Sequence, residues 1–199
     1  MNSSLSVSPT RRLFIALGAV PICIIVAAAF VVDLYIVPTD SMRPTLVPGD
    51  IVLCVRGLER GRGDVVVFRT PGEGFGVKRI VGVPADTLSY VRKVLTVNGQ
   101  TSAKVFVAKL PIEDPMDQVF EQNLATRTFR ILEAYGESLK DVGEQALSSY
   151  FLLGDNRDGS VDSREFGEVL GSEFRCRVVA ILATERTKGY SFDRAGLVH

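Results

Sequence analysis

Leu46-Val47-Pro48-Gly49-Asp50-Ile51-Val52-Leu53-Cys54-Val55 and, shortly after it, Arg62-Gly63-Asp64-Val65-Val66-Val67-Phe68 each read as a turn leading into a strand. Pro, Gly and Asp mark the turns, and the runs between them are β-branched and too short for helices. That combination is the signature of an antiparallel β domain. Toward the C-terminus, Phe75-Gly76-Val77-Lys78-Arg79-Ile80-Val81-Gly82-Val83 continues the pattern, with a lysine inside an apolar strand. Val94 to Val97 and Val105 to Ala108 read as a hairpin around Asn98-Gly99. Strand signals return at Tyr150 to Leu153 and at Arg175 to Leu182. Ile112 to Ser149 is more polar, with segments such as Leu124 to Leu139 that suit helix or strand equally. The fold expected is mainly β: an antiparallel core of residues 38–111 and 150–199, with 112–149 inserted as a smaller region of uncertain structure.

Before this core, polar residues 1–12 end in Arg11-Arg12, and Leu13 to Val32 follow without a charge. Those twenty residues would span about 30 Å as a helix, enough to cross a bilayer. Pro21 would kink such a helix without forbidding it. Two arginines on the N-terminal side predict residues 1–12 in the cytoplasm, an anchor over 13–37, and the rest outside. A twin-arginine signal, or a cleavable signal ending at Ala27-Ala28-Ala29, competes with this reading. The anchor is preferred because the apolar character runs on through Leu34-Tyr35-Ile36-Val37, beyond an ordinary signal core.

Composition removes several chemistries. In 199 residues of 46% hydrophobic content the net charge is zero, so no electrostatic nucleic-acid binder is expected. Three cysteines form no metal-ligand spacing; Cys23 lies in the apolar run, leaving Cys54 and Cys176 as the one possible pair. Two buried free thiols are the plainer reading, with pairing left open. The only histidine is His199, the last residue, where chains are usually mobile. A Ser-His-Asp group or a two-histidine zinc site is therefore not expected, and a hydrolase here needs another base.

Two further stretches invite a functional reading. Pro38-Thr39-Asp40-Ser41-Met42-Arg43-Pro44-Thr45-Leu46 sets a serine between two prolines that restrict the backbone, at the point where the apolar run ends. Alone, it is better read as a stiff connector between anchor and domain. Gly154 to Gly167 holds three aspartates, two arginines, two serines and an asparagine. A calcium loop fits it poorly, since the EF-hand spacing is missing; a loop braced by its own Asp–Arg pairs fits better. Lys78, likewise, would by itself be read as a side chain whose stem covers apolar surface while its amine reaches water.

Taken together, Ser41 to Leu46 with Gly49-Asp50, Gly63 to Phe68, Lys78-Arg79-Ile80-Val81-Gly82-Val83-Pro84 and the Gly154 to Gly167 loop resemble the bacterial type I signal peptidases. These are membrane-anchored serine proteases with a Ser-Lys dyad. The likeness covers Pro38 to about Asp86 and Tyr150 to about Leu182. It implies Ser41 as nucleophile, Lys78 as general base, the Thr39 hydroxyl and the Ser41 N–H as oxyanion donors, and Ser160 as the serine that holds the lysine amine. By the same likeness Asp155, Arg79, Asp162 and Arg164 are ion-pair braces. Asp40 stands where the family often has Gly, and Ala85 where Gly usually precedes Asp86.

The resemblance implies removal of signal peptides from exported precursor proteins, with small residues at the first and third positions before the cut. Precursors and the lipid bilayer would be the partners, with no nucleic acid, metal or cofactor. The location would be the bacterial plasma membrane, single-pass, with the catalytic domain on the outer side. A peptidase dedicated to pilin precursors in conjugative transfer, and a membrane-anchored β scaffold without chemistry, are the alternatives. An amine base must be neutral near pH 7, which burial among Val77, Ile80 and Val81 would favour for Lys78.

Overall fold

The structure, a computed structural model, describes residues 31–72, 74–109, 117–136, 140–186 and 189–198. Strands β1 (Val32–Ile36), β2 (Asp50–Val55), β3 (Val65–Arg69) and β4 (Phe75–Gly82) open the fold. They are followed by β5 (Thr87–Val91), β6 (Val94–Val97), β7 (Gln100–Thr101), β8 (Lys104–Lys109), β9 (Asp117–Leu124), β10 (Arg127–Ala134) and β11 (Val142–Ala146). The chain then returns through β12 (Phe151–Leu153), one helical turn α1 (Ser163–Phe166), the long β13 (Phe174–Arg186), β14 (Gly189–Ser191) and β15 (Gly196–Leu197).

The large sheet runs β1-β2-β13-β3-β4-β12, with β14 and β15 added to β13, and its neighbours pair antiparallel. In β2 burial alternates residue by residue, as expected when one face meets a core. Strand β3 is buried at Val65, Val66, Val67 and Phe68, so both its faces are covered; this is why it reads as an unbroken apolar run. One face packs Val52, Val65, Val67, Cys176 and Val178 around Met42 and Leu46; the other packs Val66, Phe68 and Ile80 against Leu152 and Phe174.

The mainly β expectation holds, with three changes of detail. Strand β1 occupies residues assigned to the membrane anchor: Val32 to Ile36 pair with Val55 to Ile51, so the end of the apolar stretch belongs to the sheet. Most of the proposed anchor, Leu13 to Phe30, lies outside the described residues. Among the described residues no helix is long and apolar enough to cross a membrane.

The second change concerns the hairpin. Asn98 and Gly99 do turn the chain, both with positive φ, but β6 turns onto the two-residue β7, and β8 pairs with β9 in another sheet. Ser102 directs the exit, its N–H donating to Leu95 O at 2.8 Å and its hydroxyl to Asn123 O at 2.5 Å. Strands β9, β10 and β11 accordingly pair with strands that precede them. Strands β9 and β10 complete a three-stranded sheet with β8, and β11 completes a four-stranded sheet with β5, β6 and β7. Tyr90, Leu95, Phe129 and Ile131 from these sheets share a core with Val81, Phe151 and Leu153 of the large sheet.

Third, Cys54 and Cys176 are joined in a disulfide rather than left as thiols. Cys54 pairs across the ladder with Val178, two residues from Cys176, and both sulfurs are buried in the core beneath residues 37–50.

Candidate active site

The segment from Val37 to Asp50 forms a loop closed at its base: Val37 N–H donates to Asp50 O, and Gly49 N–H donates to Val37 O, both at 2.9 Å. Gly49 has φ of +88°, and a Cβ there would lie 2.7 Å from Glu185 O, so the closure requires glycine. Met42 and Leu46 are fully buried and joined by a bond from Leu46 N–H to Met42 O at 2.9 Å. With those two side chains sunk in the core, Ser41 is held at the rim of the domain.

Lys78 reaches Ser41 from β4. Its Nζ lies 2.7 Å from Ser41 Oγ and 3.1 Å from Val77 O, and the residue is 7% exposed. Burial pushes the amine below its ordinary pKa; the carboxylates of Asp162 and Asp155 pull it back up, and the Arg164 guanidinium adds to the depression. A neutral amine at this distance can take the serine proton. Thr39 Oγ1 lies 3.3 Å from Ser41 Oγ, on the same side of the loop.

The Gly154 to Gly167 loop braces both groups. Asn156 donates its backbone N–H to Ser41 O at 3.1 Å, and its Nδ2 to Asp40 O at 3.4 Å. Asp155, wholly buried, accepts from Arg79 Nε at 2.9 Å and Nη2 at 2.7 Å, and from Thr45 Oγ1 at 2.5 Å. Arg79 also donates to Gly63 O at 2.6 Å, which brings the Gly63-Asp64 turn into the network. Asp162 caps α1 and accepts from Arg164 Nε at 2.8 Å and Nη2 at 2.7 Å. Burial works against ionisation of Asp162 but is outweighed by Arg164 and by the Gly154 N–H, so its pKa falls below the usual carboxylate value. Strand β10 supports this loop from behind, with Leu132 N–H donating to Asp155 O and Arg157 N–H to Leu132 O, both at 2.8 Å.

A family model described as "Signal peptidase, peptidase S26" matches residues 10–183. The chain belongs to this family. It is 31% identical over 167 residues to a protein called signal peptidase I from Pseudomonas aeruginosa, covering 73% of this chain and 59% of that one. A signal peptidase I of Bacillus caldolyticus is 31% identical over 160 residues, covering 75% of this chain and 79% of the other. Signal peptidase IB of Staphylococcus aureus is 29% identical over 157 residues, covering 77% and 78%. The chain thus spans under two thirds of the length of the Pseudomonas relative.

Within this S26 chain, Ser41 and Lys78 line a groove of about 360 Å³ together with the rest of the Pro38–Met42 segment, Phe75 to Val77, Gly159 and Val161. Phe75 and Val161 are more than half exposed along it. Of the expected site residues, Ser41, Lys78 and Thr39 lie together, and Arg79–Asp155 and Asp162–Arg164 pair. Ser160 does not bond the lysine amine. Its hydroxyl is buried close to Asp162, whose ionised form it favours, and its side chain fills the space a Cβ on Gly154 would need. Thr45 and Asn156 take positions the sequence did not assign them. Each lies in a quoted motif, but neither residue type announces a partner more than a hundred residues away.

Proposed function

We propose that this chain is a serine endopeptidase that removes signal peptides from exported precursor proteins, with Ser41 as nucleophile and Lys78 as general base. The observation that carries the reading is the 2.7 Å approach of a buried Lys78 Nζ to Ser41 Oγ. Ser41 Oγ attacks the scissile carbonyl carbon while its proton passes to Lys78 Nζ. The carbonyl oxygen, now negative, is stabilised by the Ser41 N–H and the Thr39 hydroxyl. As the carbonyl reforms, the peptide C–N bond breaks and the Lys78 ammonium returns the proton to the leaving amine. Water, deprotonated in turn by Lys78, then hydrolyses the acyl ester and frees Ser41.

The substrate would lie extended in the groove between the Thr39 segment and Phe75-Gly76. Position relative to the membrane fits such a substrate: the apolar Leu13 to Val31 run leads directly into β1, whose Leu34 and Ile36 are 60% and 57% exposed. We place an anchor in that run and the β domain on the outer face of the plasma membrane. The Cys54–Cys176 disulfide supports an oxidising compartment.

The test is cleavage of a purified precursor by the full chain in detergent. Release of the signal peptide by the wild type and not by Ser41→Ala, with Ser41 covalently labelled by a serine-directed acylating inhibitor, is expected. Unlabelled Ser41 together with uncut precursor would overturn the proposal in favour of a scaffold.

A further inference from the structure

Residues 189–198 lie beyond the stretch matched to the S26 family, yet Arg194 among them bonds the loop that carries Ser41. We infer that Arg194 is a positioning residue for this loop, an inference that rests on the proposed role of Ser41. Arg194 Nη2 donates to Thr45 O at 3.0 Å, and its Nη2 and Nε lie 3.2 and 3.3 Å from the two carboxylate oxygens of Asp50. A longer contact of 3.5 Å reaches Pro44 O. Asp50 is fully buried, and it also accepts from Val47 N–H at 2.9 Å and from Thr184 Oγ1 at 2.6 Å. One carboxylate therefore joins the base of the loop, the end of β13 and the strap that follows it. Truncating Arg194 would leave that carboxylate without the guanidinium that faces it, a costly condition for a buried charge.

Thr45 is held from two sides. Its carbonyl faces Arg194, while its hydroxyl reaches Asp155, the partner of Arg79. Ser41 is four residues away in a loop tightened by the Leu46 to Met42 bond, so a shift of Thr45 is passed to the serine oxygen and changes its distance from Lys78.

The strap is placed to do this. Its first half pairs with β13 at Thr184 to Arg186, its second at Ala180 and Ile181, and Arg194 sits at the bend between them. Tyr190, Phe192 and Leu197 are 61%, 71% and 73% exposed, while Val198 packs against the core that holds Met42 and Leu46. Besides that contact and the β13 ladder, the polar contacts of Arg194 join the strap to the loop.

The experiment compares full-length wild type, Arg194→Ala and Arg194→Lys by precursor cleavage and by amide hydrogen exchange. Arg194→Ala should lower kcat about tenfold or more with KM nearly unchanged, as expected from misplacing a reacting atom. Exchange should quicken across residues 42–50 and stay unchanged in β3 and β4. Arg194→Lys, which keeps the charge at Asp50 but not the fork, should recover part of both effects. If Arg194→Ala does not fold, Arg194→Lys against wild type carries the test with the same two readouts. Wild-type kcat and wild-type exchange over 42–50 in a folded variant would overturn the inference. Wild-type protein that fails to cut any precursor would instead overturn the proposed function, and the exchange measurement would still decide the role of Arg194.

Discussion

Arg79 and Asp155 face each other through two hydrogen bonds, of 2.9 and 2.7 Å, with neither side chain exposed to solvent. Arg79 follows Lys78 on β4, while Asp155 precedes Asn156, whose N–H holds the Ser41 carbonyl. The ion pair therefore fixes Ser41 and Lys78 relative to one another. Removing one member of a buried pair strands the other charge and costs about 3–5 kcal/mol. Asp155→Ala should lose stability of that order in urea denaturation and lose cleavage activity with it, since Thr45 also gives up its partner.

Ala85 sits at φ of +72°, in the left-handed region, at the position where the resemblance leads one to expect glycine. Its N–H donates to Leu147 O at 2.9 Å, and Asp86 N–H closes the turn onto Val83 O at 3.1 Å, so the backbone is held there in spite of the Cβ. Relief of about 1–2 kcal/mol of strain, offset by about 0.4–1 kcal/mol of added freedom in the unfolded chain, gives Ala85→Gly a net gain of about 0.5–1 kcal/mol. Thermal unfolding should register it as a small rise in Tm, with cleavage unaltered.

These two sites mark how far the sequence could be read. Ser41 and Lys78 by themselves read as part of a stiff connector and as a stem laid over apolar surface, and were legible only through the resemblance of several separated stretches taken together; the Asp–Arg loop was legible locally, from opposite charges close together. Strands β2, β3 and β4 were legible for the same local reason. The partner of β8 was not, because Asn98-Gly99 signals a turn without stating how long the next strand will be. Nor was the Cys54–Cys176 bond, which depends on β13 lying beside β2 across 122 residues. Arg194 escaped notice altogether; an arginine near a chain end looks solvated until its contact with Thr45, 149 residues earlier, is seen.

Thr39 separates two roles that its geometry allows. With its hydroxyl 3.3 Å from Ser41 Oγ, it is placed either to orient the nucleophile or to donate to the oxyanion. A transition-state donor predicts a loss in kcat of about 10²–10³ for Thr39→Val, with KM little changed and Thr39→Ser mild. Pre-steady-state acylation measured with the same variants should fall in parallel with kcat. A Thr39→Val enzyme as fast as wild type would place the second donor elsewhere.

Lys78 is the proposed acceptor of the Ser41 proton, and its surroundings give that role a pH dependence of definite sign. Burial is the largest influence on the amine and lowers its pKa from the ordinary lysine value of about 10.4. Since only the neutral amine accepts the Ser41 proton, kcat/KM should rise with pH through the depressed value in the free enzyme and level off at a lower pH than an ordinary lysine would require. Stability follows the same shift. Between the folded and unfolded pKa the unfolded chain binds the extra proton, so stability should rise with pH across that window and carry the full cost of the buried ammonium below it. Lys78→Met removes this cost and should be more stable than wild type at neutral pH while cutting no precursor. Lys78→Arg keeps a positive charge but cannot lose its proton in a protein, and should also be inactive. A folded Lys78→Arg enzyme that cleaves substantially, or a rising limb at the unperturbed lysine value, would remove Lys78 from the role of base.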